Sequence, residues 1–273
     1  MTWAQPGGGQ DPRALKQCCA TAYEGPWARL LLGDSFHPGG TELTLRLATL
    51  MGLGRGSTVL DVACGRGASA LALAERLGCR VIGVDLSAAN IEAANAAAES
   101  GGLEHLVEFQ IGDAERLPQA TDSVDAVLCE CALCTFPDKA TAVHEIARVL
   151  RPGGSVGIVD LTRSGELVPE LDSLLAWVAC VADARPVEDY IGYLEGAGLQ
   201  LQHEEPHDEA LHDLARRIHL TLLGAEVAVK LGKLALPLED VRTGQHLARL
   251  ALDAVEDQLL GYTLLVARAP LRP

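Results

Sequence analysis

Three of the chain's eight cysteines fall within six positions, in the stretch Cys129-Glu130-Cys131-Ala132-Leu133-Cys134. Thiols this dense can pack, hold a metal or act on a substrate. The remaining cysteines are Cys18, Cys19, Cys64, Cys79 and Cys180, and no C-x-x-C pair is followed by a second at zinc-ribbon spacing, so zinc is the weaker reading. Cysteine is among the most buried residue types, which makes packing the default for any one of them. A second constellation is the turn Ala63-Cys64-Gly65-Arg66-Gly67, with acids following at a distance. Glycines let backbone approach a ligand where a Cβ would collide. Asp85 stands 18 residues after Gly67, where a carboxylate can accept both hydroxyls of a ribose. Asp113 and its adjacent backbone could read an adenine, and Asp61 could brace the turn or meet a ligand's ammonium group. Position 70 is alanine, so the third glycine of G-x-G-x-x-G is missing and a ligand without pyrophosphate fits better.

These residues need a frame, and the hydrophobic pattern supplies one. From residue 58, short apolar runs alternate with longer amphipathic stretches, as in a βαβ array. STVLDVACGRGASALALAERLG reads as a strand over 58–63, a glycine turn and a helix ending at Gly78. CRVIGVDLS is a second strand, with Ser87 at the N-cap of helix AANIEAANAAAES and Gly101-Gly102 ending that helix. VEFQIGDAERLP is a third strand running into a polar turn. SVDAVLCECAL is a fourth, apolar enough to be buried on both faces. By strand alternation Cys129 and Cys131 share a face at its end and Glu130 points the other way, while Cys134 already lies in a loop. DKATAVHEIARVLRPGG is a helix stopped by Pro152, and SVGIVDLT a fifth strand. A helix and strand in PVEDYIGYLEGAGLQLQHEE and a last strand in GYTLLVARAP follow. The expected fold is a single α/β domain with a mostly parallel sheet covered on both faces. Segments 11–50, 164–185 and 207–258 lie outside the repeat, have helical apolar spacing, and are expected to cap the active site.

With 273 residues, 48% of them hydrophobic, the chain can bury a large core. A net charge of −15 without clustered Lys and Arg argues against a nucleic-acid partner. No apolar run reaches the roughly 20 residues of a membrane span, and MTWAQPGGGQDPR reads as a mobile tail rather than a secretory signal. A cytoplasmic enzyme with reduced thiols and a small substrate is the expectation.

Four motifs in order resemble the class I S-adenosylmethionine-dependent methyltransferases: VLDVACGRGASA their glycine-rich motif, GVDLS their ribose-binding acid, GDAERLP their adenine motif, and RVLRPGGSVGIVD the segment that follows. The resemblance implies a Rossmann-like sheet of seven strands with the last antiparallel, and S-adenosylmethionine as cofactor. It places the cofactor against Asp61, Ala63, Gly65, Gly67, Asp85, Leu86, Asp113, Ala114 and the end of strand four at Cys129. Tyr23 could cover it from an N-terminal helix, with a packing role equally open.

CECALCTFPDKATAVHEIARVLRPGG is similar to the arsenite methyltransferases, in which a cysteine precedes an N-L-x-P-D-K stretch; aligned on Pro137-Asp138-Lys139, that cysteine is Cys131. WVACVADARPVEDYIGYLEGAGL resembles the same family's C-V-x-G-A segment and next helix, which aligns Cys180 and puts Asp183 where the family has glycine. The family often supplies a third thiol near its N-terminus. Cys18 and Cys19 are candidates, of which Cys19 is preferred; His37 reads as a turn residue. Soft trivalent arsenic favours thiolate ligands, so the implied reaction is an in-line methyl transfer to thiol-bound arsenic, with a reducing thiol as partner. Two alternatives stay open. One is a small organic or other soft acceptor with cysteines that only pack; the other is a thiol sensor on a methyltransferase scaffold.

Overall fold

The computed structural model describes residues 12–24, 31, 37–171, 181 and 183–271. The N-terminal glycine stretch and Cys180 lie outside them, as do the side chains of Cys18 and Cys19.

Helix α1 (Pro12–Glu24) and helix α2 (Gly40–Leu50) precede the sheet. Strand β1 (Thr58–Val62) then leads through the glycine turn into α3 (Ala68–Leu77) and β2 (Arg80–Asp85). Helix α4 (Ala88–Gly101) starts where Ser87 Oγ accepts the Asn90 N–H at 3.0 Å and stops at Gly102, φ 65°. Its buried stripe of Asn90, Ile91, Ala94 and Ala98 follows the helical period, so small residues bring the helix close to the sheet. Strands β3 (Val107–Ile111) and β4 (Val124–Glu130), helix α5 (Lys139–Val149) and strand β5 (Leu150–Arg163) follow. Next come α6 (Val187–Gly196), β6 (Gln200–Pro206), the hairpin of α7 (Asp208–Lys230) and α8 (Leu238–Glu256), and β7 (Leu260–Arg268). The strand expected from Ser155 begins earlier, because Leu150 already pairs with Val124. The register jumps before Ala126 meets Ser155, so Pro152-Gly153-Gly154 forms an irregular lead-in.

The seven strands lie in the order β3-β2-β1-β4-β5-β7-β6, parallel except that β7 runs antiparallel to both its neighbours. Strand alternation divides the core in two. Val59 and Leu128 join Leu47 of α2, Leu73 of α3 and Ala94 of α4 on one face. Leu60, Val127 and Cys129 join Ile146 of α5 and Tyr190 and Leu194 of α6 on the other. The order reverses between β1 and β4, and ligands of open α/β sheets settle beyond the strand ends at such a point. Segment 207–258 holds the helices α7 and α8. Of 164–185 the structure describes a single turn of 3₁₀ helix, Pro169–Leu171, and the start of the approach to α6. Among the described residues no helix is long and apolar enough to cross a membrane.

Candidate functional site

The C-terminal ends of β1, β2 and β4 open onto one cavity. Asp61, Ala63 and Gly65 reach it from β1 and its turn, Asp85 and Leu86 from the end of β2, Ala114 from the loop after β3, and Cys131 from the residue after β4. Tyr23 and Lys16 border it from α1. Three expected residues, Gly67, Asp113 and Cys129, stand back from the lining. Gly67 (φ 82°) is buried outside the lining, and a Cβ there would meet Phe109 Cζ at 2.6 Å and Ala94 Cβ at 3.1 Å. Its missing side chain therefore serves the packing of helix on strand, rather than the approach to a ligand. Gly67→Ala should combine left-handed strain with overpacking, about 2–5 kcal/mol, and lower the Tm by roughly 10 °C in a thermal melt.

Asp113 is the second. Its carboxylate accepts hydrogen bonds from Lys16 Nζ at 3.0 and 2.7 Å, and it does not line the cavity, although its neighbours Gly112 and Ala114 do. Lys16 also donates to Glu115 at 2.6 Å, and at the far end of α1 Glu24 accepts from Ser87 Oγ at 2.7 Å. Helix α1 is thus fastened across the cavity at both ends. Lys16 was not foreseen from the sequence, since nothing local links it to acids almost a hundred positions away.

The Asp85 carboxylate is fixed by backbone donors, Gly65 N–H and Ser87 N–H, each at 2.8 Å. The Asn90 side chain also hydrogen-bonds this carboxylate, which keeps acceptor capacity for a ligand hydroxyl. Burial raises the Asp85 pKa against the pull of those two N–H groups. Asp61 is 3% exposed and its Oδ2 has no hydrogen-bond partner. Burial, followed by the charges of Glu130 and Asp85, pushes its carboxyl well above the usual range. A buried acid with an orphaned oxygen facing a cavity is a receptor for a cationic donor. S-adenosylmethionine carries an ammonium, a sulfonium and a ribose diol, so the residues present fit it.

Strand alternation misplaced the cysteines. Cys131 adopts φ 52°, and this left-handed residue breaks the alternation at the strand's end. Cys129 is fully buried in the second core cluster and Cys131 packs at the edge of the first, so the two do not share a face. Cys129 is absent from the cavity lining, and Glu130 and Cys131 both border it. Burial pushes the thiols of Cys64 and Cys129 well up, leaving little thiolate. At neutral pH a soluble alkylating reagent should modify half-buried Cys131 at least ~10-fold faster than Cys64 or Cys129, as read by peptide mapping. Strand alternation alone points Glu130 away from Cys129 and assigns it no role. The available signal was a carboxylate ending an otherwise apolar, doubly covered strand. Among the described residues no group of three or more His, Cys, Asp or Glu could hold a metal ion.

Comparison with known proteins bears on the family and the fold. Residues 60–158 match the family model described as a methyltransferase domain. The chain is 30% identical over 239 residues to 27-O-demethylrifamycin SV methyltransferase of Amycolatopsis mediterranei, covering 84% of each chain. It is 34% identical over 171 residues to methyltransferase GfsG of Streptomyces halstedii, covering 62% of each. It is also 34% identical over 161 residues to an arsenite methyltransferase of Halobacterium salinarum, covering 57% of this chain but 40% of that one. The chain therefore spans less than two thirds of the length of the last two. The crystal structure of the [4+2]-cyclase SpnF shares the fold, with a TM-score of 0.78 at 21% identity over 97% of this chain and 98% of that one.

Proposed function

Because this chain belongs to the class I S-adenosylmethionine-dependent methyltransferases, we propose that it transfers the methyl group of that cofactor to trivalent arsenic held by cysteine thiolates, in a reducing cytoplasm. The cofactor supplies a methyl group on cationic sulfur, so no strong base is needed and the protein's work is mainly positioning. Asp61, Asp85, Leu86, Ala114 and the Gly65 turn would hold the cofactor; Cys131, Cys180 and Cys19 would hold the arsenic.

The observation that carries this reading is Cys131 beside Glu130 on the same cavity as the cofactor residues. Two others support it. Position 19 stands one helical turn before Tyr23, which borders the cavity. Just after position 180, Val181 is buried in the cluster against which Cys131 packs. Asp183, the departure from the family's glycine, pairs with Lys139 at the start of α5 and with Arg185. That ion pair fastens the end of the segment near the loop that follows Cys131.

The test is incubation with S-adenosylmethionine, a reducing thiol and arsenite, followed by separation of the arsenic species. Methylated arsenic supports the proposal, and its absence with active cofactor turnover on another acceptor overturns it. A second reading, methyl transfer to a small organic acceptor, is favoured by the rifamycin relative, whose match runs over 84% of both chains. The fold alone does not choose, since the structural neighbour named above is titled a cyclase.

A further inference from the structure

Glu130 is a buried carboxylate that the proposed reaction leaves unused. Its side chain is 4% exposed and borders the cofactor cavity. It shares a sheet face with Asp61. In the register of β1 on β4, Asp61 lies opposite Leu128, and Glu130 is two residues further along the same face. The two acids therefore stand diagonally across neighbouring strands at the edge where those strands end. Two hydroxyls from outside the strand hold Glu130. Ser69 Oγ, from the first turn of α3, donates at 2.6 Å, and Thr44 Oγ1, from α2, lies 3.1 Å from each carboxylate oxygen. His37 Nε2 is 3.9 Å from Glu130, an ion-pair distance only if the ring is protonated, and 3.4 Å from Ser69 Oγ, while its Nδ1 lies 3.1 Å from the Pro38 carbonyl.

Both hydroxyl donors are neutral, so they fix the direction of the carboxylate without supplying a counter-charge. Among the described cavity residues, Lys16 is tied to Asp113 and Glu115 rather than to Glu130. Asp61 adds a buried oxygen with no partner. Among the described residues, the cavity thus sets a buried carboxylate held by neutral hydroxyls beside a buried acid with an unpartnered oxygen, a pair of acceptors suited to a cationic ligand.

Cofactor and product differ in that charge. S-adenosylmethionine carries a sulfonium, an ammonium and a carboxylate, for a net charge of about +1, and transfer of the methyl group leaves a neutral thioether with the ammonium and carboxylate unchanged. We infer that Glu130 is a positioning residue that makes the cavity discriminate the sulfonium cofactor from its thioether product, favouring product exit once the methyl group has left. The inference rests on the cofactor and is independent of which acceptor is methylated.

Binding measurements test it without any turnover. Dissociation constants of Glu130→Gln and the wild type are compared by calorimetry for S-adenosylmethionine, for S-adenosylhomocysteine, and for sinefungin, which carries an ammonium-bearing carbon in place of the sulfonium. The expected result is a loss of at least ~10-fold for the two ligands cationic at that position, with S-adenosylhomocysteine changed by less than about threefold. Glu130→Asp, which keeps the charge on a shorter stem, should restore most of the preference. If all three ligands weaken by one factor, Glu130 serves the shared ammonium or the fold and the inference is overturned; unchanged affinities overturn it equally. Should Glu130→Gln fail to fold in a thermal melt, Glu130→Asp decides, since a residue needed only for shape would lose all three ligands together.

Discussion

Cys131→Ser is expected to abolish methylated arsenic, lowering its formation by at least ~100-fold, while S-adenosylmethionine binds within about threefold of its wild-type affinity. The two parts have different physical origins. Trivalent arsenic is a soft acceptor that prefers thiolate, and a serine hydroxyl is hard and stays protonated. The change removes the ligand but almost no volume. Backbone at position 131 is left-handed, a strain that serine and cysteine bear alike, and the amide that holds the turn, Cys131 N–H to Val159 C=O at 2.7 Å, is untouched. Most of the residues proposed to hold the cofactor lie on β1, its glycine turn and the end of β2. Arsenic speciation reads the first part and calorimetry the second. Cys180→Ser should behave in the same way. If Cys131→Ser keeps its arsenic activity, the thiol only packs and the organic-acceptor reading takes its place. Activity of the wild type should also rise with pH as the thiolate fraction grows.

Asp61→Asn is the second large effect, and it acts in opposite directions on stability and binding. Burial, then the charges of Glu130 and Asp85, raise the Asp61 pKa in the folded protein, against one backbone hydrogen bond from Ala70. Between its unfolded value of about 3.9 and the raised folded value, the folded state binds the extra proton, so stability falls as pH rises through this window. Below pH ~4 the group is protonated in both states and the term vanishes. Asparagine removes the ionisation altogether. The ligand-free variant should therefore melt above the wild type at neutral pH, with the advantage shrinking as pH falls towards 4. Cofactor affinity should fall by about 10- to 100-fold, the worth of a hydrogen bond to a charged group. Equal melting temperatures at pH 7 and pH 4 for both proteins would overturn the account.

Much of the frame was readable because its signals are local. Apolar runs, Ser87 at an N-cap and Gly102 after a helix end each act within a few residues. The parallel strands followed from them, and so did Asp61, Asp85 and the turn between. What was missed depends on partners far along the chain or on one backbone angle. A single left-handed residue at 131 broke the alternation there, so Cys131 borders the cavity with Glu130 instead of sharing the buried face of Cys129. Gly67 followed a motif whose usual reason, approach to a ligand, gives way here to the ring of Phe109. Asp113 was read against a ligand and met Lys16 of α1 instead.

The place of β7 bears on how the molecule comes into being. Strand β6 has β7 as its sole sheet neighbour, and β7 also pairs with β5 along Ser155–Arg163. A nascent chain can assemble β1 through β5 as their residues emerge, yet β6 must wait, unpaired, while the α7–α8 hairpin and then β7 are synthesised. Contacts between segments this far apart in sequence are the slow ones. Until residues through Arg268 are available, the apolar edge of β5 stands open to any other extended chain, and this is the interval in which a chaperone has most to do.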